Sequence, residues 1–226
     1  MFDIFKSMIK EEWRMHSSLF GHSGFALFPV FIFLFTFFVS LVLPVFREIV
    51  SDAGVALGMH YFFLLVGGMV GAFGLMGREF MNRRFGQASL IAYSSRTLPV
   101  SERVIFLNFL VKDIVYYFIL YVLPFIAGFA LAVKLVLPSA AESFKIPLLT
   151  LTLSLSFMIG LSVVFFLSTV YAHSGKAVIA GLLLAFHALL FASGNFNEEV
   201  LYALPGLAFY LTPSETRQLL ASVFLI

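Results

Sequence analysis

Residues 24–46 read GFALFPVFIFLFTFFVSLVLPVF, a stretch without one charged side chain. At 1.5 Å per residue, a helix over this stretch reaches across the ~30 Å hydrocarbon layer of a bilayer. Arg47, Glu48 and Asp52 follow it, and Pro29 and Pro44 inside it can only bend or end such a helix.

Similar runs occupy residues 55–76, 104–133, 147–170 and 177–192. They predict an all-α fold, a polytopic transmembrane helix bundle of five spans making a single membrane domain over residues 1–226. The composition requires the same class. Hydrophobic residues make up 61% of the chain and charged residues 12%, and the mean hydropathy is +1.03. Soluble domains carry about 25% charged residues, so a water-soluble fold could not hide this much apolar surface. Spans of about 20 residues each, with their connections, leave no room for a separate soluble domain. Cysteine is absent, which excludes a disulfide framework and a thiolate metal site. A net charge of +2 gives no ground for a nucleic-acid partner.

Residues 1–20 mix Lys6, Lys10, Glu11, Glu12 and Arg14 with apolar residues and lack the continuous core of a signal peptide. The expectation is that they are retained in the mature protein. Phe2, Ile4, Phe5, Met8, Ile9 and Trp13 recur at helical spacing, with Lys6, Lys10 and Arg14 on another face. This pattern predicts an amphipathic helix lying in the membrane interface; a short soluble helix packed on the bundle is the alternative.

In the second run, Gly67, Gly71 and Gly74 share one helical face, which predicts close approach of another helix. The third run is too long for one perpendicular crossing, so its membrane part is placed at about 115–133, with Pro124 kinking it. Lys112 and Asp113 then lie at the border, where Lys112 can snorkel to water. The fourth and fifth runs, joined through His173, Ser174, Gly175 and Lys176, predict a hairpin. Residues 193–226 hold only short apolar pieces, 200–210 with Pro205 and Gly206 and 219–226, and read as an outer re-entrant or interfacial segment.

Orientation follows from the basic residues. With the N-terminus in the cytoplasm, Lys6, Lys10, Arg14, Arg78, Arg83, Arg84, Arg96, Arg103, Lys112 and Lys176 fall inside and only Arg47, Lys134, Lys145 and Arg217 outside. That bias favours this orientation in a cell membrane. The polar connection 77–103 is then cytoplasmic.

Catalytic motifs are weak. Gly21-His22-Ser23-Gly24 has the form found around rhomboid-type serine nucleophiles, with His187 in a later run as a conceivable base. Ser23 is equally an ordinary helix N-cap. His187 is the one imidazole deep in an apolar run, and reads either as hydrogen-bonded to a neighbouring helix or as part of a polar path. His16, His22, His60 and His173 lie near predicted membrane borders without metal-ligand spacing. A phosphate-binding loop is also missing, because Gly175-Lys176 is followed by Ala177 and Val170 stands where the first glycine belongs. The chain is expected to be no enzyme and to hold no cofactor or metal; if ATP is used, a partner binds it.

The connection between the second and third runs is the most specific part of the sequence. Arg78-Glu79 closes the second run, and Arg83-Arg84-Phe85-Gly86-Gln87, Leu90-Ile91 and Leu98-Pro99-Val100-Ser101 lead into the third. This arrangement resembles the membrane subunits of type-two ABC exporters, where a glycine, a short apolar helix and a Pro-Val/Ile-Ser-Arg turn join the second and third spans; Glu102 stands here in place of the turn's basic residue. Tyr210-Leu211-Thr212-Pro213 resembles that family's Tyr-Leu-Asn-Pro stretch; its sixth span has no counterpart in these 226 residues.

The resemblance implies a permease subunit paired with a second copy or a homologue and served by two ATP-binding cassette ATPase subunits that bind ATP and Mg. Arg83, Arg84, Phe85, Gly86, Leu90, Ile91 and Tyr93 would form its ATPase-coupling element. Apolar residues beside two arginines also suit a groove on a soluble partner on physical grounds alone, while an amphipathic loop resting on lipid headgroups is the alternative. A non-transporting membrane scaffold is the second functional class open at this point. The scarcity of polar side chains in the runs leans toward amphiphilic cargo.

Overall fold

The computed structural model describes residues 2–84, 101–138, 144–174, 177–178, 180–181, 184–185, 204–213, 220 and 223. Among these, every regular element is helical: α1 (Phe2–Phe20), α2 (His22–Ala26), α3 (Phe28–Ser40), α4 (Leu43–Phe46), α5 (Asp52–Arg84), α6 (Glu102–Tyr117), a π-helical turn (Phe118–Val122), α7 (Leu123–Val136), α8 (Ile146–Ser174) and α9 (Pro205–Leu211).

Among the described residues, three helical stretches are long and apolar enough to cross a membrane: Asp52–Ala72, Val111–Val136 and Ile146–Leu167. They correspond to the second, third and fourth predicted spans. The first predicted span, 24–46, is divided into α2, α3 and α4, and α3 has 13 residues, about 20 Å of helix. Its breaks fall at Leu27 and at Leu41–Val42, each shortly before a proline. Pro29 and Pro44 supply no N–H to the carbonyls of Phe25 and Ser40, and their rings crowd the preceding turn. The predicted fifth span, 177–192, lies mostly outside the described residues, as does its hairpin connection.

Many large apolar side chains are exposed, beyond those in the buried core. On α3, Phe31, Phe35 and Phe38 are 60–70% exposed, whereas the residues it buries are Thr36 and Ser40. Leu65 and Met69 of α5 are similarly open, while His60 on that helix is fully buried. Lipid is as apolar as phenylalanine, so a membrane helix can leave large apolar side chains on its outer face, while small or polar groups take part in the contacts with its neighbours.

The chain forms two compact units, Met1–Phe46 with Glu79–Ile146 and Arg47–Arg78 with Pro147–Ile226. In the first, α1 packs on α2 and α6, and α3 packs on the π turn and α7. The α3–α7 contact passes through Gly128, where a Cβ would meet the Phe33 carbonyl oxygen and stand 3.1 Å from the Phe37 nitrogen. Phe129 of α7 meets Phe144 edge-on, with centroids 5.2 Å apart.

In the second unit, α5 lies against α8. A Cβ at Gly67 would strike the Phe157 carbonyl oxygen, one at Gly71 would stand 2.6 Å from the Leu161 carbonyl oxygen, and one at Gly160 would strike the Leu64 carbonyl oxygen. Contacts climb both helices in the same sense, so α5 and α8 run parallel, as alternate spans of a serpentine chain must. The start of α5 is fixed by the Ser51 hydroxyl, which accepts from the Gly54 N–H at 3.2 Å. Arg47 clamps Asp52 there through two bonds of 2.7 and 2.8 Å. The segment read as re-entrant or interfacial, 193–226, contains α9, whose Gly206, Leu207, Phe209 and Tyr210 are buried. Gly206 seats on α8, since a Cβ there would stand 2.8 Å from the Ser156 hydroxyl oxygen and 2.9 Å from the Thr152 carbonyl oxygen.

Candidate functional site: a buried ion cluster beneath the N-terminal helix

Phe5, Met8, Glu12 and His16 are spaced by three or four residues and therefore share a face of α1. Met8 is buried and the other three are part-buried, while Lys6, Lys10, Trp13 and Arg14 are exposed. The inward face thus carries a carboxylate and an imidazole, and α6 answers them. The Lys112 ammonium donates to Glu12 Oε2 at 2.6 Å and lies 2.6 Å from Asp113 Oδ1. The Tyr117 hydroxyl donates to Glu12 Oε1 at 3.2 Å. His16 Nδ1 is 2.9 Å from the Glu12 carbonyl oxygen; a carbonyl only accepts, so Nδ1 carries the hydrogen. The Tyr116 hydroxyl stands 3.4 Å from the same nitrogen.

Aromatic rings close around these groups. The imidazole stacks on Phe25 at 5.4 Å and lies 5.6 Å from Tyr116 and 6.1 Å from Tyr117, and Trp13 meets Phe25 edge-on at 4.9 Å. The Lys112 side chain is only 6% exposed. The expectation that it snorkels to water is therefore corrected: its charge is met inside the protein by Glu12 and Asp113. A lysine this buried stays charged only where carboxylates replace lost hydration, and Lys112 has two. On the solvent side of α1, burial pushes the Glu11 carboxyl above its ordinary value, with Arg14 opposing. The cluster contains no activated nucleophile; what it does is pin α1 to the start of the Val111–Val136 span.

The coupling element falls mostly beyond view. Arg83 and Arg84 are the last residues of α5, and Phe85, Gly86, Leu90, Ile91 and Tyr93 lie outside the described residues, as does His187. Gly67 and Gly71 meet α8, and Gly74 lies within α5. Ser23, read as a helix N-cap, sits inside α2. Ser101 does hold the N-cap position of α6 in extended conformation, but its hydroxyl makes no capping bond. Its carbonyl accepts the Val104 N–H at 3.0 Å, so one of the orphan amides of the first turn is satisfied by backbone.

Two polar features escape a reading by runs. Glu12 and His16 were assigned to no face of the N-terminal helix, although their four-residue spacing and the Lys112-Asp113 pair within an apolar run were the available signal. His60, placed near a border by its sequence, is wholly buried within the Asp52–Ala72 stretch. Its Nδ1 bonds the Ala56 carbonyl at 2.7 Å, and its ring lies 5.7 Å from that of Tyr210. No family model, no curated protein and no solved structure matches the chain.

Proposed function

We propose that this chain is the membrane-spanning permease subunit of an ATP-binding cassette transporter of the type-two exporter class. It pairs with a second copy or a homologue, and two ATPase subunits bind ATP and Mg and drive it. The observation that carries this reading is the segment between α5 and α6. Helix α5 runs from the apolar stretch Asp52–Ala72 on to Arg84, so Arg78, Arg83 and Arg84 ride on a helical extension beyond the crossing. The Phe85-Gly86, Leu90-Ile91 and Pro99-Val100-Ser101 segment follows before Glu102 opens α6. A basic helical stem leading to a short apolar element is suited to plug into a groove of a soluble motor subunit.

In this arrangement the N-terminus and the α5–α6 connection face the cytoplasm, in keeping with the bias of lysine and arginine. Closure of the ATPases moves the coupling element, and the cargo path runs between two permease subunits. Replacing Leu90 and Ile91 together by Asp tests the reading. Apolar anchors at the centre of a small interface contribute about 2 kcal/mol or more each, and an unpaired buried carboxylate costs more. The double variant is expected to insert and fold but to lose copurification of the ATPase and its turnover in reconstituted vesicles. Normal binding and turnover would remove the coupling assignment and leave the scaffold class ahead.

A further inference from the structure

The inward face of α1 is occupied by the ion cluster; its outward face is not. Lys6, Lys10 and Arg14 stand at successive intervals of four residues and are exposed, so they form one slowly turning basic row. Trp13, beside them, is 40% exposed even though its ring meets Phe25. The acidic residues of the helix are Asp3, Glu11 and Glu12. Glu12 is bound to Lys112, and Glu11, part-buried and near Arg14, offsets part of the charge of the row.

The height of this row relative to the membrane is fixed by the same cluster. Lys112 is the second residue of the Val111–Val136 stretch, and the apolar part of that stretch belongs in hydrocarbon. Its polar end, and Glu12 bonded to it at 2.6 Å, therefore lie where hydrocarbon gives way to headgroups. The basic row is carried on the opposite side of that helix, and its Arg14, two residues from Glu12, stands near this level beside Trp13, an aromatic ring of the kind that prefers this depth.

We propose that the outward face of α1 is a binding surface for anionic phospholipid headgroups, with Lys6, Lys10 and Arg14 as the phosphate-facing cations and Trp13 as the interfacial anchor. Three cations in one row match a layer of anionic headgroups in charge, and a basic side chain near such a surface adds about 1 kcal/mol of attraction, a factor of about five each. Because Glu12 ties the helix to Lys112, lipid held on the outer face is mechanically connected to the start of a membrane span. The proposal stands whether or not an ATPase binds the chain.

Trp13 is the only tryptophan in the protein, so its fluorescence reports on this face alone. The full chain is reconstituted into two sets of vesicles with the same mixture of phosphatidylglycerol and phosphatidylcholine; in one set the glycerol lipid carries brominated chains, in the other the choline lipid does. Brominated phosphatidylglycerol is expected to quench Trp13 more strongly. That preference should fall roughly fivefold for each of Lys6→Gln, Lys10→Gln and Arg14→Gln, and should weaken with salt. The charge-keeping variant Lys6→Arg with Lys10→Arg should retain it. Equal quenching by the two lipids, no quenching by either, an unchanged preference in the triple glutamine variant, or its loss in the arginine variant would each overturn the proposal.

Discussion

Lys112 and Glu12 stand 100 positions apart in the chain and 2.6 Å apart in space. Removing either partner leaves a charge in a site closed off by aromatic rings. Lys112→Ala, which takes the ammonium from both Glu12 and Asp113 and leaves Glu12 its bond from the Tyr117 hydroxyl, is expected to cost about 3 kcal/mol, the low end for a broken buried pair. Glu12→Gln should cost less, because Asp113 still meets the ammonium. The double variant Glu12→Gln, Lys112→Met should be more stable than the sum of its singles. Equilibrium unfolding in detergent measures all three; strict additivity would show that the pair is not coupled.

The packing of α5 on α8 makes a prediction with an internal control. A leucine at Gly71 or Gly160 would drive into backbone of the facing helix, and backbone cannot rotate away as a side chain can. Each substitution should destabilise by at least the 1–3 kcal/mol typical of overpacking. Gly58 lies on the same helix as Gly71 but is exposed, with nothing within 4 Å of its Cβ position. Gly58→Leu should be neutral, or stabilising by up to about 1 kcal/mol through helix propensity. Thermal unfolding of the three variants separates a packed face from a lipid-facing one.

Topology can be read with single cysteines, since the chain has none of its own. Ile49, 82% exposed before α5, should react as cysteine with an impermeant maleimide added outside intact cells. Cysteine at Ser95 should react only after the membrane is opened. The reverse labelling pattern would invert the proposed orientation.

A milder effect is expected of Arg83→Ala at the end of α5. Charges at the rim of an interface act mainly on association rate and salt dependence, so this variant should bind the ATPase more slowly at low salt while keeping turnover at saturation. A loss as complete as that of the Leu90, Ile91 double variant would move the centre of the interface onto the arginine stem.

The apolar runs were legible because hydrophobic length is a property of the chain itself. The spans over Asp52–Ala72, Val111–Val136 and Ile146–Leu167 could therefore be placed within a few residues, and the glycine spacing in α5 pointed to a helix contact. The break of residues 24–46 into three pieces was less so, since a proline permits a bend without stating whether the chain takes it. The burial of Lys112 left only a faint signal, the Lys112-Asp113 pair within an apolar run. Its partner comes from a helix whose charges look solvent-facing when read alone, and pairing across 100 residues leaves no periodic trace. His60 shows the converse: counting from the end of a run put it near a border, yet it is wholly buried within the Asp52–Ala72 stretch, with the ring of Tyr210 near it.

The π turn at Phe118–Val122 acts as a rotational correction. On an unbroken α-helix Tyr116 and Gly128 would point about 120° apart. A π turn absorbs one extra residue and narrows that angle to about 20°. Tyr116 reaches His16 of α1 and Gly128 admits Phe33 of α3, so the N-terminal chain follows a single stripe along the whole of Glu102–Val136. A perfect helix would have let that stripe wander off around its circumference. Deleting one residue from the π turn would swing the Lys112 end by about 100° and carry the ammonium away from Glu12 while α3 stayed seated on Gly128.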